Sequence, residues 1–300
     1  MTQPTATLNS KSVLLSQPYC PTLPPDDEVV GRTDEARMVL AAWIARARFP
    51  RLSPLLVGDA GVGKNRLVYE IARYTGKDLF IMLGHEDMRA DDLCCAVRFS
   101  DDPQRKMDYV LSPLATAMLQ GGICFIDEIG KLRAGALAPL ASVLDERRYL
   151  DSVLLGERIV AHPGFAFIAA TNTTDLLGDV LPEWIGSRLR PVIEIGHPSR
   201  SEIDQIVRQR FGSTERPVPQ GDKLLSRFWQ LWRDRRGEIP PSPRDTLYLF
   251  GLMLNLADAE AAAPGDFLFT APEPAAPPQV KHLELAFDRL FGNKGASDGL

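Results

Sequence analysis

Long apolar runs, an excess of basic residues and a cysteine framework are all missing from this 300-residue chain, and each absence removes a class of function. Apolar stretches such as Phe165 to Ala170 fall far short of the ~20 residues that a bilayer-spanning helix needs, so no membrane span is expected. No basic segment leads into an apolar one at the N-terminus, which gives no secretory signal and a cytoplasmic expectation. The formal net charge of −5 shows no global basic face of the kind that proteins living on nucleic-acid phosphates carry. The four cysteines (Cys20, Cys94, Cys95 and Cys124) have no framework spacing and read as reduced thiols. Adjacent Cys94 and Cys95 are poorly placed to bridge, and Cys124 sits in an apolar run as a small buried residue. A zinc set of His85, Cys94 and Cys95 matches no usual ligand spacing and is rejected. What is present is ordinary for a globular protein with a real core: 45% hydrophobic and 24% charged residues.

Residues 1–27 are rich in Thr, Ser, Gln and Pro without a sustained period, and predict a flexible tail. An apolar-periodic run from Glu35 to Phe49 predicts a first helix. Short apolar runs then alternate with helical stretches. Strands are expected at Pro54 to Val57, Leu79 to Leu83, Ile123 to Ile126, Phe165 to Ala170 and Val192 to Ile195. Helices are expected at Lys64 to Tyr74, Leu114 to Leu119, Ala136 to Leu144 and Leu181 to Ile185. That alternation predicts an α/β core over residues 28–198, a parallel sheet flanked by helices. Beyond it the strand signals stop. Helical patterns at Arg200 to Phe211, Lys223 to Arg235, Arg244 to Leu256 and Val280 to Phe291 predict a small helical lid domain over 199–300, interrupted by a Pro/Ala-rich stretch at about 261–278.

The strand ending at Val57 runs into Gly58, Asp59, Ala60, Gly61, Val62, Gly63, Lys64 and Asn65, followed by Arg66 and a helix. Gly58, Gly63 and Lys64 have phosphate-loop spacing. Glycines allow a turn in which several N–H groups face one anion at the positive end of a helix, and Lys64 adds a point charge for terminal phosphates. The residue after the lysine departs from the pattern. A Ser or Thr hydroxyl is expected there to help hold Mg²⁺, and Asn65 puts its oxygen one bond further out. Normal nucleotide binding with weaker metal positioning and slow turnover is the expectation. Further on, an apolar strand delivers Asp127 and Glu128 at its C-terminal end, where open parallel sheets bind ligands. Asp127 is the candidate metal holder, and Glu128 the group that orients and deprotonates an attacking water.

With these motifs in order the chain resembles the AAA+ ATPases, and more narrowly their MoxR-like, dynein- and midasin-related branch, over about residues 28–257. Val29 to Arg32 looks like the motif near the adenine. Gly84 to Leu93 looks like the segment that begins the insert in the second helix, although a threonine is missing and Cys94-Cys95 replace a glycine. Ser112 to Leu114 stands where that branch has Gly-Pro-Leu, and Leu144 to Leu150 followed by Gly156 to Phe165 matches the hairpin before the fourth core strand. The resemblance implies ATP and Mg²⁺ as cofactors. It makes Asn172 a first sensor of the γ-phosphate, Arg188 a finger reaching a neighbouring protomer's nucleotide with Arg190 as second candidate, and Arg244 a second sensor on the lid.

The same resemblance implies a self-assembled, hexameric ring that remodels or activates a client or adaptor protein. A von Willebrand factor A partner is a further implication, and since no Asp-x-Ser-x-Ser motif occurs here, that partner would be a separate chain. Two alternatives stay open. One is a nucleic-acid motor or loader, for which Arg98, Arg105 and Lys106 are local basic candidates against an acidic whole. The other is a nucleotide-gated assembly factor with slow or no hydrolysis, kept open by Asn65.

Overall fold

The computed structural model describes the chain apart from residues 1–3, 10, 22–27, 45, 47–48, 101–105, 177–180, 213–217, 219, 262–276 and 293–300. Arg105 and most of the Pro/Ala-rich stretch therefore lie outside the described residues. In chain order the first elements are β1 (Thr5–Leu8), β2 (Lys11–Leu14), α1 (Thr33–Ala42), β3 (Leu55–Val57), α2 (Lys64–Thr75), β4 (Leu79–Leu83), β5 (Cys95–Phe99), β6 (Met107–Leu111), α3 (Pro113–Gln120) and β7 (Ile123–Asp127). Two single-turn helices follow, α4 (Ala134–Leu137) and α5 (Leu140–Val143), then the antiparallel hairpin β8 (Tyr149–Ser152) and β9 (Glu157–Val160). After β10 (Ala166–Thr171) come two more single turns, α6 (Thr173–Leu176) and α7 (Glu183–Gly186), and β11 (Val192–Glu194). The C-terminal part is helical: α8 (Arg200–Gly212), α9 (Gly221–Arg236), α10 (Pro243–Ala261) and α11 (Val280–Phe291).

Five strands form one parallel sheet in the order β11-β3-β10-β7-β4. Its central strands β7 and β10 are buried along nearly their whole length, which is why they read as continuous apolar runs rather than alternating ones. Chain clustering divides the protein into two units. The first comprises residues 1–22, 32–59 and 64–196, and the second comprises 23–31, 60–63 and 197–300. The first unit's core is mainly aliphatic, with Leu111, Ile126 and Ala169 packed alongside Phe80 and Cys124. In the second, α8 to α11 enclose an aromatic cluster in which Phe228 packs against Trp229, Trp232 and Phe250.

Three expectations from the sequence need correction. Residues 5–8 and 11–14 are strands, not part of a flexible tail. They form an antiparallel hairpin whose second strand pairs in parallel with β6, giving a four-stranded sheet ordered β1-β2-β6-β5. Val13 and Leu15 are buried in the first unit's core. A lone hairpin is marginal in water, and joining gives the N-terminal pair and the β5–β6 pair a shared sheet whose buried residues are Val13, Cys95 and Leu111. That partnership spans some ninety residues of sequence and leaves no local period. The first helix ends at Ala42, short of Phe49. The expected helix Ala136 to Leu144 is broken into α4 and α5 at Pro139, whose ring and missing N–H interrupt the helical ladder.

Candidate active site

The loop Gly58 to Asn65 joins the C-terminal end of β3 to the start of α2. Gly61 and Gly63 have φ of +85° and +103°, left-handed values that a side chain rarely tolerates, so the turn requires glycine at both. Lys64 opens α2 with its side chain buried, at 7% relative exposure. Its Nζ donates to the carbonyls of Gly58 (2.6 Å) and Asp59 (3.0 Å) and to Asn172 Oδ1 (2.9 Å). Sheet register explains the last contact. Thr171 of β10 is opposite Val57 of β3, so the next residues of the two strands, Asn172 and Gly58, emerge together at the C-terminal edge. A buried ammonium is costly unless hydrogen-bonded, and this one is.

Asp127 ends β7 beside the same edge. Its Oδ2 accepts from Asn65 Nδ2 (2.7 Å) and its Oδ1 from the Glu128 N–H (3.0 Å). Among the described residues Glu128 is one of four non-glycines with positive φ, +56°, a conformation costing about 1–3 kcal/mol that persists where the surroundings impose it. Gly84, just after β4, is one of those surroundings. Its N–H donates to the Asp127 carbonyl (2.8 Å), and a Cβ at Gly84 would stand 2.5 Å from the Glu128 carbonyl oxygen. The Glu128 carboxylate is ion-paired to Lys131. Lys64, Asn65, Asp127, Glu128 and Asn172 are thus brought together by β3, β7, β10 and α2. The Asp127 carboxylate, with the Asn65 carboxamide hydrogen-bonded beside it, offers hard oxygen chemistry of the kind that suits Mg²⁺ rather than a thiolate- or imidazole-seeking metal.

Of the arginines, Arg188 and Arg190 belong to the first unit and Arg244 to the second. Arg188 is about one third exposed; its Nη1 donates to the Trp184 carbonyl (2.5 Å) and its Nη2 lies 3.9 Å from Asp145 Oδ2. The hydrogen bond from Arg147, reinforced by the charges of Arg147 and Arg188, holds the Asp145 carboxyl below its ordinary range. Arg190 is exposed, with its Nη1 3.5 Å from the Leu189 carbonyl. In the second unit, Ser242 Oγ accepts from the Asp245 N–H (3.1 Å) and caps α10, on which Arg244 is the second residue. The Arg244 N–H lies 3.4 Å from the Gly61 carbonyl, and a Cβ at Gly61 would stand 2.8 Å from Ser242 Oγ, both contacts within that unit.

Two contributors were not singled out from the sequence. Gly84 was visible only as part of a motif, and Lys131, three residues after Glu128, carried no signal beyond that spacing. Cys94 and Cys95 are buried, and burial pushes both thiols up, Cys95 to about 11.

Residues 53–189 match the AAA domain family of the dynein-related subfamily. Protein NorQ of Paracoccus denitrificans is 34% identical over 121 residues, which is 40% of this chain and 44% of that protein. Protein CbbQ of Hydrogenophilus thermoluteolus is 34% identical over 122 residues, covering 41% of this chain and 45% of its own length. The denitrification regulatory protein NirQ of Stutzerimonas stutzeri is 30% identical over 156 residues, 51% of this chain and 54% of the relative. The chain therefore spans about half the length of the curated relatives it matches. Among solved structures, the Holliday junction branch migration motor RuvB of Thermotoga maritima superimposes with a TM-score of 0.51 at 16% identity, over 87% of this chain and 70% of that one. At that identity the likeness concerns the fold. No helix among the described residues is long and apolar enough to cross a membrane.

Proposed function

Since residues 53–189 are an AAA domain of the dynein-related subfamily, in an AAA+ chain of the MoxR-like kind, we propose that this protein binds and hydrolyses MgATP and uses the cycle to remodel or activate a partner protein. The observation that carries the reading is the buried Lys64 ammonium, held by Gly58, Asp59 and Asn172 at the mouth of a glycine loop. Backbone N–H groups of Gly58 to Asn65 cradle the phosphates, and Lys64 balances their charge. Asp127 and Asn65 would hold Mg²⁺, which when bound neutralises charge on the phosphate oxygens. Glu128, freed from Lys131, orients a water against the γ-phosphorus and takes its proton as the bond to the ADP oxygen breaks. Asn172 reports the γ-phosphate and Arg244 acts as a second sensor from the lid domain. Arg188, which in its own chain contacts Trp184 and Asp145, serves a neighbouring protomer's nucleotide in this reading, within a hexameric ring.

The name of NirQ, a denitrification regulatory protein, is in keeping with a task performed on another protein. A client or adaptor chain, a separate von Willebrand factor A partner among the candidates, is the recipient in this reading, and the cytoplasm its place. The second reading, nucleotide-gated assembly with little turnover, is favoured by one feature: Asp127 and Glu128 are both engaged by the chain's own Asn65 and Lys131. Equilibrium binding of a fluorescent ATP analogue to wild type and Lys64→Ala tests the site, and equal affinity refutes it. Phosphate release by wild type against Glu128→Gln then separates the two readings, because gating by binding alone leaves client activation intact in the variant.

A further inference from the structure

At the edge of the parallel sheet opposite the glycine loop, where the strands begin, three cations gather that no motif above contains. Arg51 lies shortly before β3, Lys77 before β4 and Arg148 immediately before β8. Arg51 Nη1 (3.2 Å) and Arg148 Nη2 (3.0 Å) donate to one oxygen, the Phe165 carbonyl at the entry to β10. Lys77 Nζ donates to the preceding carbonyl, that of Gly164 (2.8 Å), and to Gly121 at the end of α3 (3.0 Å). His162 stands beside them. Its Nδ1 accepts the Gly164 N–H (2.9 Å), which leaves the proton of the neutral ring on Nε2 of an exposed side chain.

Basic side chains commonly satisfy carbonyls at helix ends, and these carbonyls are satisfied. The cations are not. Among the described residues none of the three has a carboxylate partner, and each guanidinium spends only one of its five N–H donors. Nearby cations are paired, Arg147 with Asp145 (2.7 Å) and Arg158 with Asp151 (2.7 Å). Burial first, and then the charge of Arg51, lowers the pKa of both Lys77 and Arg148. Arg148 is also held in place: its φ is +48°, left-handed for a non-glycine, and its guanidinium lies 5.4 Å from the centroid of the Phe165 ring. Backbone strain of this kind clusters where function requires a fixed side chain. All three are half-buried, a local cationic island in a chain of net charge −5.

We infer that Arg51, Lys77 and Arg148, with the His162 N–H at the rim, form a docking site for the carboxylates of an acidic segment on a partner protein. Guanidinium forks match a carboxylate through two parallel hydrogen bonds. The cluster is one compact patch rather than the basic stripe that follows a phosphate backbone, which favours a short acidic peptide over nucleic acid. The inference rests on the reading that this chain acts on another protein, and makes no use of the nucleotide site.

The test is fluorescence anisotropy of a labelled hexaglutamate peptide titrated with the full chain. Wild type binds it saturably. Arg51→Gln and Arg148→Gln each weaken binding by about tenfold, the scale of a lost charge-assisted hydrogen bond. Arg158→Gln, whose cation already has Asp151, leaves it unchanged. Both site arginines also hold Phe165, so melting curves accompany every variant, and Arg148→Lys, which keeps charge and a donor, regains part of the loss. No binding by wild type, an equal loss in Arg158→Gln, or no recovery in Arg148→Lys overturns the inference. So does inorganic phosphate that displaces the peptide at matched charge, which marks a small-anion seat, or a single-stranded oligonucleotide that binds more tightly and is lost in the same variants. A chain that binds the peptide but no ATP analogue refutes the nucleotide reading and leaves this one standing.

Discussion

Gly84→Ala isolates the geometry that holds Glu128. The added methyl would meet the Glu128 carbonyl oxygen at 2.5 Å, its carbon at 3.1 Å and the Asp127 carbonyl oxygen at 3.2 Å. All three are backbone atoms, so no side chain can swing aside. Gly84 cannot retreat either without breaking its own hydrogen bond to Asp127 O at 2.8 Å. Overpacking of this kind costs about 1–3 kcal/mol, which at roughly 2–4 °C per kcal/mol lowers the melting temperature by about 2–12 °C. The strain falls on Glu128, whose carboxylate is proposed to orient the water. Hydrolysis is therefore expected to drop by about a hundredfold or more, the scale of a lost general base, while nucleotide affinity, set by the Lys64 loop, stays near wild type. Gly135→Ala is the control. That glycine sits in α4 with nothing within 4 Å of an added Cβ, and the change should stabilise by about 0.5–1 kcal/mol. Scanning calorimetry, analogue binding and phosphate release measured on both variants decide the matter. A Gly84→Ala protein with wild-type melting and turnover would show that the Gly84 contact does not govern Glu128.

If Arg188 acts in trans as proposed, Arg188→Ala should lower turnover by about a thousandfold, the scale of a lost arginine finger, and mixing it with Glu128→Gln should restore part of the activity, since each variant supplies what the other's site lacks; a mixture as inactive as its components refutes action in trans. Leu15→Ala, at a residue 3% exposed, should cost about 2–5 kcal/mol in urea unfolding, whereas a tail residue would cost nothing. Of the four thiols, exposed Cys20 should alkylate first in the native protein. Buried Cys95, whose pKa is raised from 9.0 to about 11, stays protonated in between and should label only as the pH climbs through that window, and Cys124, pushed higher still by complete burial, only on unfolding; mass-resolved labelling at rising pH checks the order.

The glycine loop and the acidic pair were legible because each is contiguous: strand, turn and helix follow one another within a dozen residues, and their chemistry depends on local spacing. The second unit's helices were legible for the same reason, through their period. The N-terminal hairpin was not. Four-residue strands carry too few alternations to register, and their partner β6 is remote in sequence. The helix at Ala136 was overextended because its apolar period continued across Pro139. Nothing local marks Glu128 as left-handed, since the conformation is imposed by Gly84 and the turn into Lys131.

The order of residues along the chain thus determined which groups are available, a phosphate loop with Asn65 after its lysine, two acids at a strand end, and arginines at intervals beyond. Tertiary structure decided which of them meet. Strand register sets Asn172 against Lys64, α2 carries Asn65 onto Asp127, and the loop into β10 gathers Arg51, Lys77 and Arg148 at the opposite edge. Spacing along a chain fixes neighbours within a turn or two, whereas contacts between distant segments are selected by the burial and hydrogen bonding of the whole sheet.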